Sequence, residues 1–261
     1  MVAAIVLTGL LGLLVGSFLN VVIWRVPRGE SVVSPPSACP RCGHRIRPRD
    51  NVPVLGWLLL RGRCRDCAEP IPVRYPLVEA GTGVLFALAC GWTVARGTPW
   101  LLPAALYLAA IAVALTLIDL DTRRLPDAIV LPSYPVLLAL LAVASWGGDD
   151  WGALLRAVLA GAALAVFYFL VLLVYPAGMG LGDVKLAGVL GMALGWIGWG
   201  ALLIGWFATF LLGGLFALAL VVLGRAGRRT AIPFGPWMLG GAAIGMVAGP
   251  AVWEQYLGVF G

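Results

Sequence analysis

A chain of 261 residues that is 61% hydrophobic and only 11% charged, with a mean hydropathy of +0.98, is too apolar for a soluble domain of ordinary composition. Its net charge of +6 sits mostly in arginine clusters without a recognisable nucleic-acid-binding module. Basic loops beside anionic lipid account for it, and no nucleic-acid partner is expected. The chain reads as an all-α integral membrane protein.

The first apolar segment, Val2 to Ile23, has the roughly 20 residues of a spanning helix, with no basic stretch before it and no small-residue cleavage site after it. It is expected to be a retained helix, not a cleaved signal. Trp24 follows at headgroup level, and Arg25 and Arg28 mark the cytoplasmic side, which puts the N-terminus outside. Residues 25–76 are the one long polar stretch, rich in arginine and proline. They form a small cytosolic insert that hydrophobic burial alone cannot stabilise. Further apolar runs follow at about 77–95, 100–118, 128–146, 152–175, 185–197, 199–223 and 234–257. Counting the first segment, the sequence predicts about eight transmembrane helices in three parts: a first helix at 1–24, the insert at 25–76 and a multi-span domain at 77–261. The split inside 185–223 rests on Gly195-Trp196-Ile197-Gly198-Trp199-Gly200 acting as an interfacial turn. Alternation then sets Arg123/Arg124, Lys185 and Arg225/Arg228/Arg229 on the side of the insert, with Asp149/Asp150 outside. Arg96 and Arg156 fall outside as isolated, snorkelling exceptions.

Cys39-Pro-Arg-Cys42 and Cys64-Arg-Asp-Cys67 are two Cys-x-x-Cys pairs at the spacing of a four-thiolate zinc ribbon. Disulfides are the competing reading, but a cytosolic insert keeps its thiols reduced. With Cys39, Cys42, Cys64 and Cys67 all bound, no coordination position stays open, so the zinc is expected to be structural. His44 reads as a solvated loop residue, and Cys90, alone in an apolar run, as packing.

Two carboxylates interrupt the apolar pattern and cost too much there to be incidental. Asp183 lies in Gly178-Met179-Gly180-Leu181-Gly182-Asp183-Val184-Lys185, where the glycines free the backbone from helical geometry and admit a substrate strand. Upstream, Ile118-Asp119-Leu120-Asp121 ends another apolar run. Residues two apart on a helix point about 200° from one another, so only one of these acids can face Asp183. Spacing alone does not choose. Asp119 is the costlier placement and the better candidate, with Asp121 pairing with Arg123 or Arg124 at the interface. Asp127, after Pro126, reads as a helix cap. For Asp183 the plainer role is a cap on the next helix or an ion pair with Lys185. Two acids at one cytoplasmic-facing place suffice to activate water against a peptide bond. The competing readings are a metal-dependent membrane transferase built on Asp119 and Asp121 and a non-enzymatic proton-relay transporter or scaffold.

The set Gly16-Ser17-Phe18-Leu19-Asn20-Val21-Val22-Ile23-Trp24-Arg25-Val26-Pro27, the paired Cys-x-x-Cys insert, Arg74-Tyr75-Pro76-Leu77-Val78-Glu79, Ile118-Asp119-Leu120-Asp121 with Leu125-Pro126-Asp127, and Gly180-Leu181-Gly182-Asp183-Val184-Lys185 resembles, in order, the type IV prepilin leader peptidases. The Gly-x-Gly-Asp element alone also resembles presenilin-type proteases. The resemblance implies removal of the leader from type IV prepilins and pseudopilins at the cytoplasmic face of the inner membrane, with Asp119 and Asp183 as the catalytic pair. It also implies N-methylation of the new terminus by S-adenosylmethionine, for which Glu79 and Asn20 are candidates. A basic prepilin leader would be repelled by the insert, whose arginines therefore serve lipid headgroups, topology and any acidic substrate residue.

Overall fold

The computed structural model describes residues 1–176, 178–225 and 232–260. Among them the chain is helical, with two isolated β-bridges in the insert and no strand. The helices are α1 (Val2–Arg25), a short α2 (Leu55–Leu59), α3 (Arg74–Ala95), α4 (Leu102–Thr122), α5 (Asp127–Gly148), α6 (Trp151–Val174), α7 (Leu181–Ile197), α8 (Trp199–Val222) and α9 (Gly235–Phe260). Eight of the nine are long and correspond one to one with the predicted apolar runs. Among the described residues seven are long and apolar enough to cross a membrane. The eighth, α7, has 17 residues, the lower end of what a span requires.

The predicted break between the sixth and seventh runs falls at Gly198, whose φ of 155° few side chains tolerate. Of the basic cluster near residue 225, Arg228 and Arg229 lie outside the described residues. The chain divides into two compact units, Met1–Leu117 and Ile118–Gly261, with the boundary inside α4.

In the first unit α1 and α3 pack closely along small residues. A Cβ on Gly12 would meet Gly83 Cα at 2.8 Å, and one on Gly16 would meet Glu79 Cα at 2.7 Å. The insert is tied to this pair by polar bonds: Glu79, buried, accepts the Val54 N–H at 2.7 Å, and Asn20 donates to the Tyr75 carbonyl at 3.2 Å. Within the insert, Trp57 donates to the Ile71 carbonyl at 3.0 Å, and Arg65 forks onto Asp50 at 2.8 and 2.5 Å.

In the second unit α7 is the central element, packed by α5, α6, α8 and α9. Leu186 through Gly195 are buried without interruption, the pattern of a helix apolar on every face because protein surrounds it. Its close seam with α6 comes from glycine. A Cβ at Gly195 would lie 2.3 Å from Ala160 Cβ, and one at Gly191 would lie 2.7 Å from the Ala160 carbonyl oxygen. The α8–α9 seam repeats the device at Gly205, Gly241 and Gly245, as expected where van der Waals contact, not the hydrophobic effect, joins helices in lipid.

Candidate active site and metal centre

The insert carries two copies of one turn. In the first, the Cys39 N–H donates to the His44 carbonyl and the Gly43 N–H to the Cys39 carbonyl, both at 2.9 Å, closed by a bridge between Ala38 and Arg45. In the second, the Cys64 N–H donates to the Glu69 carbonyl at 2.8 Å and the Ala68 N–H to the Cys64 carbonyl at 2.9 Å, closed by Arg63 and Pro70. Gly43 and Ala68 hold the same left-handed corner, at φ 71° and 59°.

The two turns bring the sulfurs of Cys39, Cys42, Cys64 and Cys67 within 4.8 Å of one another. Tetrahedral zinc with Zn–S bonds of about 2.3 Å has sulfur–sulfur edges of about 3.8 Å. Cys39 Sγ and Cys67 Sγ are 3.8 Å apart. The four thiols crowd one another electrostatically. Backbone N–H groups of Cys42 and Arg41 hold the Cys39 thiol down at about 7. The Glu69 N–H favours ionisation of Cys67, but desolvation and the three neighbouring thiols push it up to about 12. Four thiolates at this spacing need a cation between them, and the donor set can hold a metal. His44 is exposed and outside the cluster, and Cys90 is buried in α3.

The carboxylates meet the second unit's helices at their ends. Asp119, 4% exposed, lies in the last turn of α4, and its Oδ2 accepts the N–H of Gly235 at 3.0 Å. Gly235 is the first residue of α9, so this N–H is one of the donors that a helix start leaves unpaired. Asp183 is the third residue of α7, and its Oδ2 accepts the Gly180 N–H at 2.9 Å, closing the helix's first turn. The capping role considered for Asp183 is therefore real. Each carboxylate has one oxygen fixed by a backbone donor. Leu125, after the turn that ends α4, joins the two sides: it abuts Gly182 at 3.0 Å and Gly235 at 3.2 Å from where a Cβ would stand. Asp121 is exposed where Asp119 is buried, as the helical period requires, so the two do not converge on one metal ion as the transferase reading needs.

Two readings of single residues change. Pro126 is the N-cap of α5 and Asp127 its first helical residue, and the carboxylate of Asp127 accepts from Lys185 at 2.7 and 2.9 Å. Lys185 is thus paired with Asp127 and not with Asp183, because side chains two apart on α7 point to different faces. Gly182 is helical, so its smallness serves the approach of Leu125 and not a break in the helix; the extended residue is Gly180. Sequence reasoning missed Gly235 and Tyr168. Tyr168, 1% exposed, stacks on Phe210, with Phe234 6.3 Å away. Pro233-Phe234-Gly235-Pro236, a Phe-Gly pair set between two prolines that have no N–H, was a signal that could have found the first.

These features define a multi-helix membrane protein with a buried and a half-buried acid at helix ends and a four-thiol centre in a separate unit. The model of the bacterial peptidase A24 N-terminal domain matches residues 10–93, and that of the type IV leader peptidase family matches residues 106–222. Among curated proteins, the prepilin leader peptidase/N-methyltransferase of Aeromonas hydrophila is 38% identical over 95% of this chain and 92% of its own length. The protein of that name in Pseudomonas aeruginosa is 37% identical over 98% and 94%. That of Myxococcus xanthus is 43% identical over 84% of this chain and 64% of its own. No solved structure matches the chain. The chain belongs to the type IV leader peptidase family and is a multi-pass membrane peptidase of its prepilin-processing, N-methylating branch.

Proposed function

We propose that the protein removes the leader of type IV prepilins and pseudopilins at the cytoplasmic face of the inner membrane, with Asp119 and Asp183 as the catalytic dyad, and then methylates the new N-terminus. The observation that supports it most is that Leu125 packs against both Gly182, next to Asp183, and Gly235, the donor to Asp119, with each carboxylate anchored through Oδ2 by a backbone N–H. Two such acids share a proton. The ionised carboxylate takes a proton from water as the hydroxide oxygen bonds to the scissile carbonyl carbon, and the protonated one gives its proton to the carbonyl oxygen. Collapse of the resulting gem-diol returns a hydroxyl proton to the second acid, while the first protonates the departing nitrogen and the C–N bond breaks. The substrate's apolar helix stays in lipid and its leader junction reaches the dyad from the side.

Cys39, Cys42, Cys64 and Cys67 would hold zinc as a structural staple for residues 25–76, which supports the division of the chain into first helix, insert and multi-span domain. S-adenosylmethionine supplies the methyl group when bound. Asn20 and Glu79 are engaged with Tyr75 and Val54, so we read them as packing of the insert onto its helices and assign the donor to no residue.

Incubation of the purified protein with a model prepilin, followed by intact-mass analysis, tests the reading. The expected product lacks the leader and, only when S-adenosylmethionine is present, carries one added methyl group. A substrate left whole by folded enzyme would contradict it.

A further inference from the structure

At the end of α7 remote from Asp183, about 21 Å along the helix, four elements line an open pocket of about 330 Å³. Its wall includes Arg156 of α6, the Gly198 turn, Trp199 of α8, and Trp253 and Glu254 of α9. The volume is that of a small-molecule site. Arg156 is fixed there: its Nε donates to the Gly195 carbonyl at 2.7 Å and its Nη2 to the Trp196 carbonyl at 2.8 Å, satisfying the open end of α7. A guanidinium has more donors than those two bonds use. Gly200 lets α9 close the wall, since a Cβ there would lie 2.4 Å from Trp253 Cβ, and Trp253 is braced by stacking on Tyr256, with centroids 5.7 Å apart.

Arg156 and Glu254 line this one cavity, yet no ion pair joins them among the described residues. A cation and an anion that line one open volume without pairing present complementary groups to a zwitterion. Indole rings in the same wall favour an ammonium group. The surroundings are those of a membrane surface: Trp199, Leu203, Val252 and Leu257 are exposed and apolar at this end, and tryptophan belongs at headgroup depth.

We propose that this cavity binds a phosphoethanolamine zwitterion, presented as the headgroup of a phospholipid of the leaflet opposite the dyad. The phosphate accepts from Arg156, and the ammonium lies between Glu254 and the indoles. The site is independent of proteolysis.

Native mass spectrometry of the full-length protein in detergent, titrated with phosphatidylethanolamine, phosphatidylglycerol and water-soluble glycerophosphoethanolamine, tests this. Wild type is expected to prefer phosphatidylethanolamine. Glu254→Gln should weaken that lipid about tenfold and leave phosphatidylglycerol unchanged, while Glu254→Lys should reverse the preference. Both variants keep prepilin cleavage and melting temperature, which separates loss of the site from loss of the fold. Equal affinity of wild type for the two lipids, or unchanged phosphatidylethanolamine binding by Glu254→Gln, would overturn the proposal. Competition by glycerophosphoethanolamine as strong as that by the lipid would overturn the lipid source and reassign the site to a soluble zwitterion.

Discussion

Single atoms decide the geometry of the proposed dyad. The buried carboxyl of Asp119 has one backbone donor, the N–H of Gly235, and a Cβ on Gly235 would stand 2.9 Å from Asp119 Oδ2 and 3.2 Å from Leu125. Gly235→Ala is therefore expected to lower kcat for prepilin cleavage by about 10²-fold, in line with the effect of small misplacements of reacting groups, with a smaller change in KM. Steady-state kinetics on the folded variant checks this. At the insert, Ala68 occupies the left-handed corner that Gly43 fills in the twin turn. Ala68→Gly removes a Cβ clash in that region, and a gain of about 0.5–1 kcal/mol is expected, read as slower loss of metal to a competing chelator. The residues that chemistry makes expensive, Asp119, Asp183 and the four cysteines, were legible in the sequence because charge in an apolar run and paired thiols have few inexpensive explanations. Gly235 was not, because its contribution is a backbone donor that any residue but proline possesses.

Among elements, α7 carries Asp183 and is held at both ends. Its first turn is tied to α5 by Lys185 and Asp127, with Tyr134 donating to the Lys185 carbonyl at 2.7 Å; its last carbonyls are tied to Arg156. Lys185 and Asp127 are 33% and 56% exposed, so their pair adds little to stability, about 0–1 kcal/mol. Its consequence is where Asp183 stands. Lys185→Met is expected to lower kcat about tenfold with melting temperature nearly unchanged, and the exchange Lys185→Asp with Asp127→Lys to restore most of it; kcat and KM for the three proteins check the pairing. The order of the long helices followed from apolar length and from Gly198, but α7 starts at Leu181, four residues ahead of the predicted run at 185–197, which puts Asp183 inside it. The partner of Lys185 did not follow, since a contact across 58 positions leaves no mark on local pattern.

For the molecule as a whole, the thiol centre and the acid pair belong to different compact units. Among the described residues, seven helices of spanning length and composition, with the shorter α7 buried among its neighbours, explain why counting apolar runs recovered the architecture while taking 185–197 as an eighth span. Residues 25–76 have too little apolar interior to fold unaided, so Cys42→Ser is expected to lose bound zinc and leave the insert open to protease, as limited proteolysis with metal analysis reports. Brief chelation of folded enzyme, by contrast, should leave cleavage within about threefold of untreated protein, since a closed four-thiolate site offers no position to substrate or water.

The central claim is that Asp119 and Asp183 together break the peptide bond. Cleavage of a model prepilin by Asp119→Asn and Asp183→Asn, each shown to be folded by its melting temperature, tests it most directly. Loss of at least about 10³-fold in kcat in both variants, as for residues that act as one unit, is the predicted result. Cleavage at wild-type rate by either variant would remove that aspartate from the dyad and contradict the account.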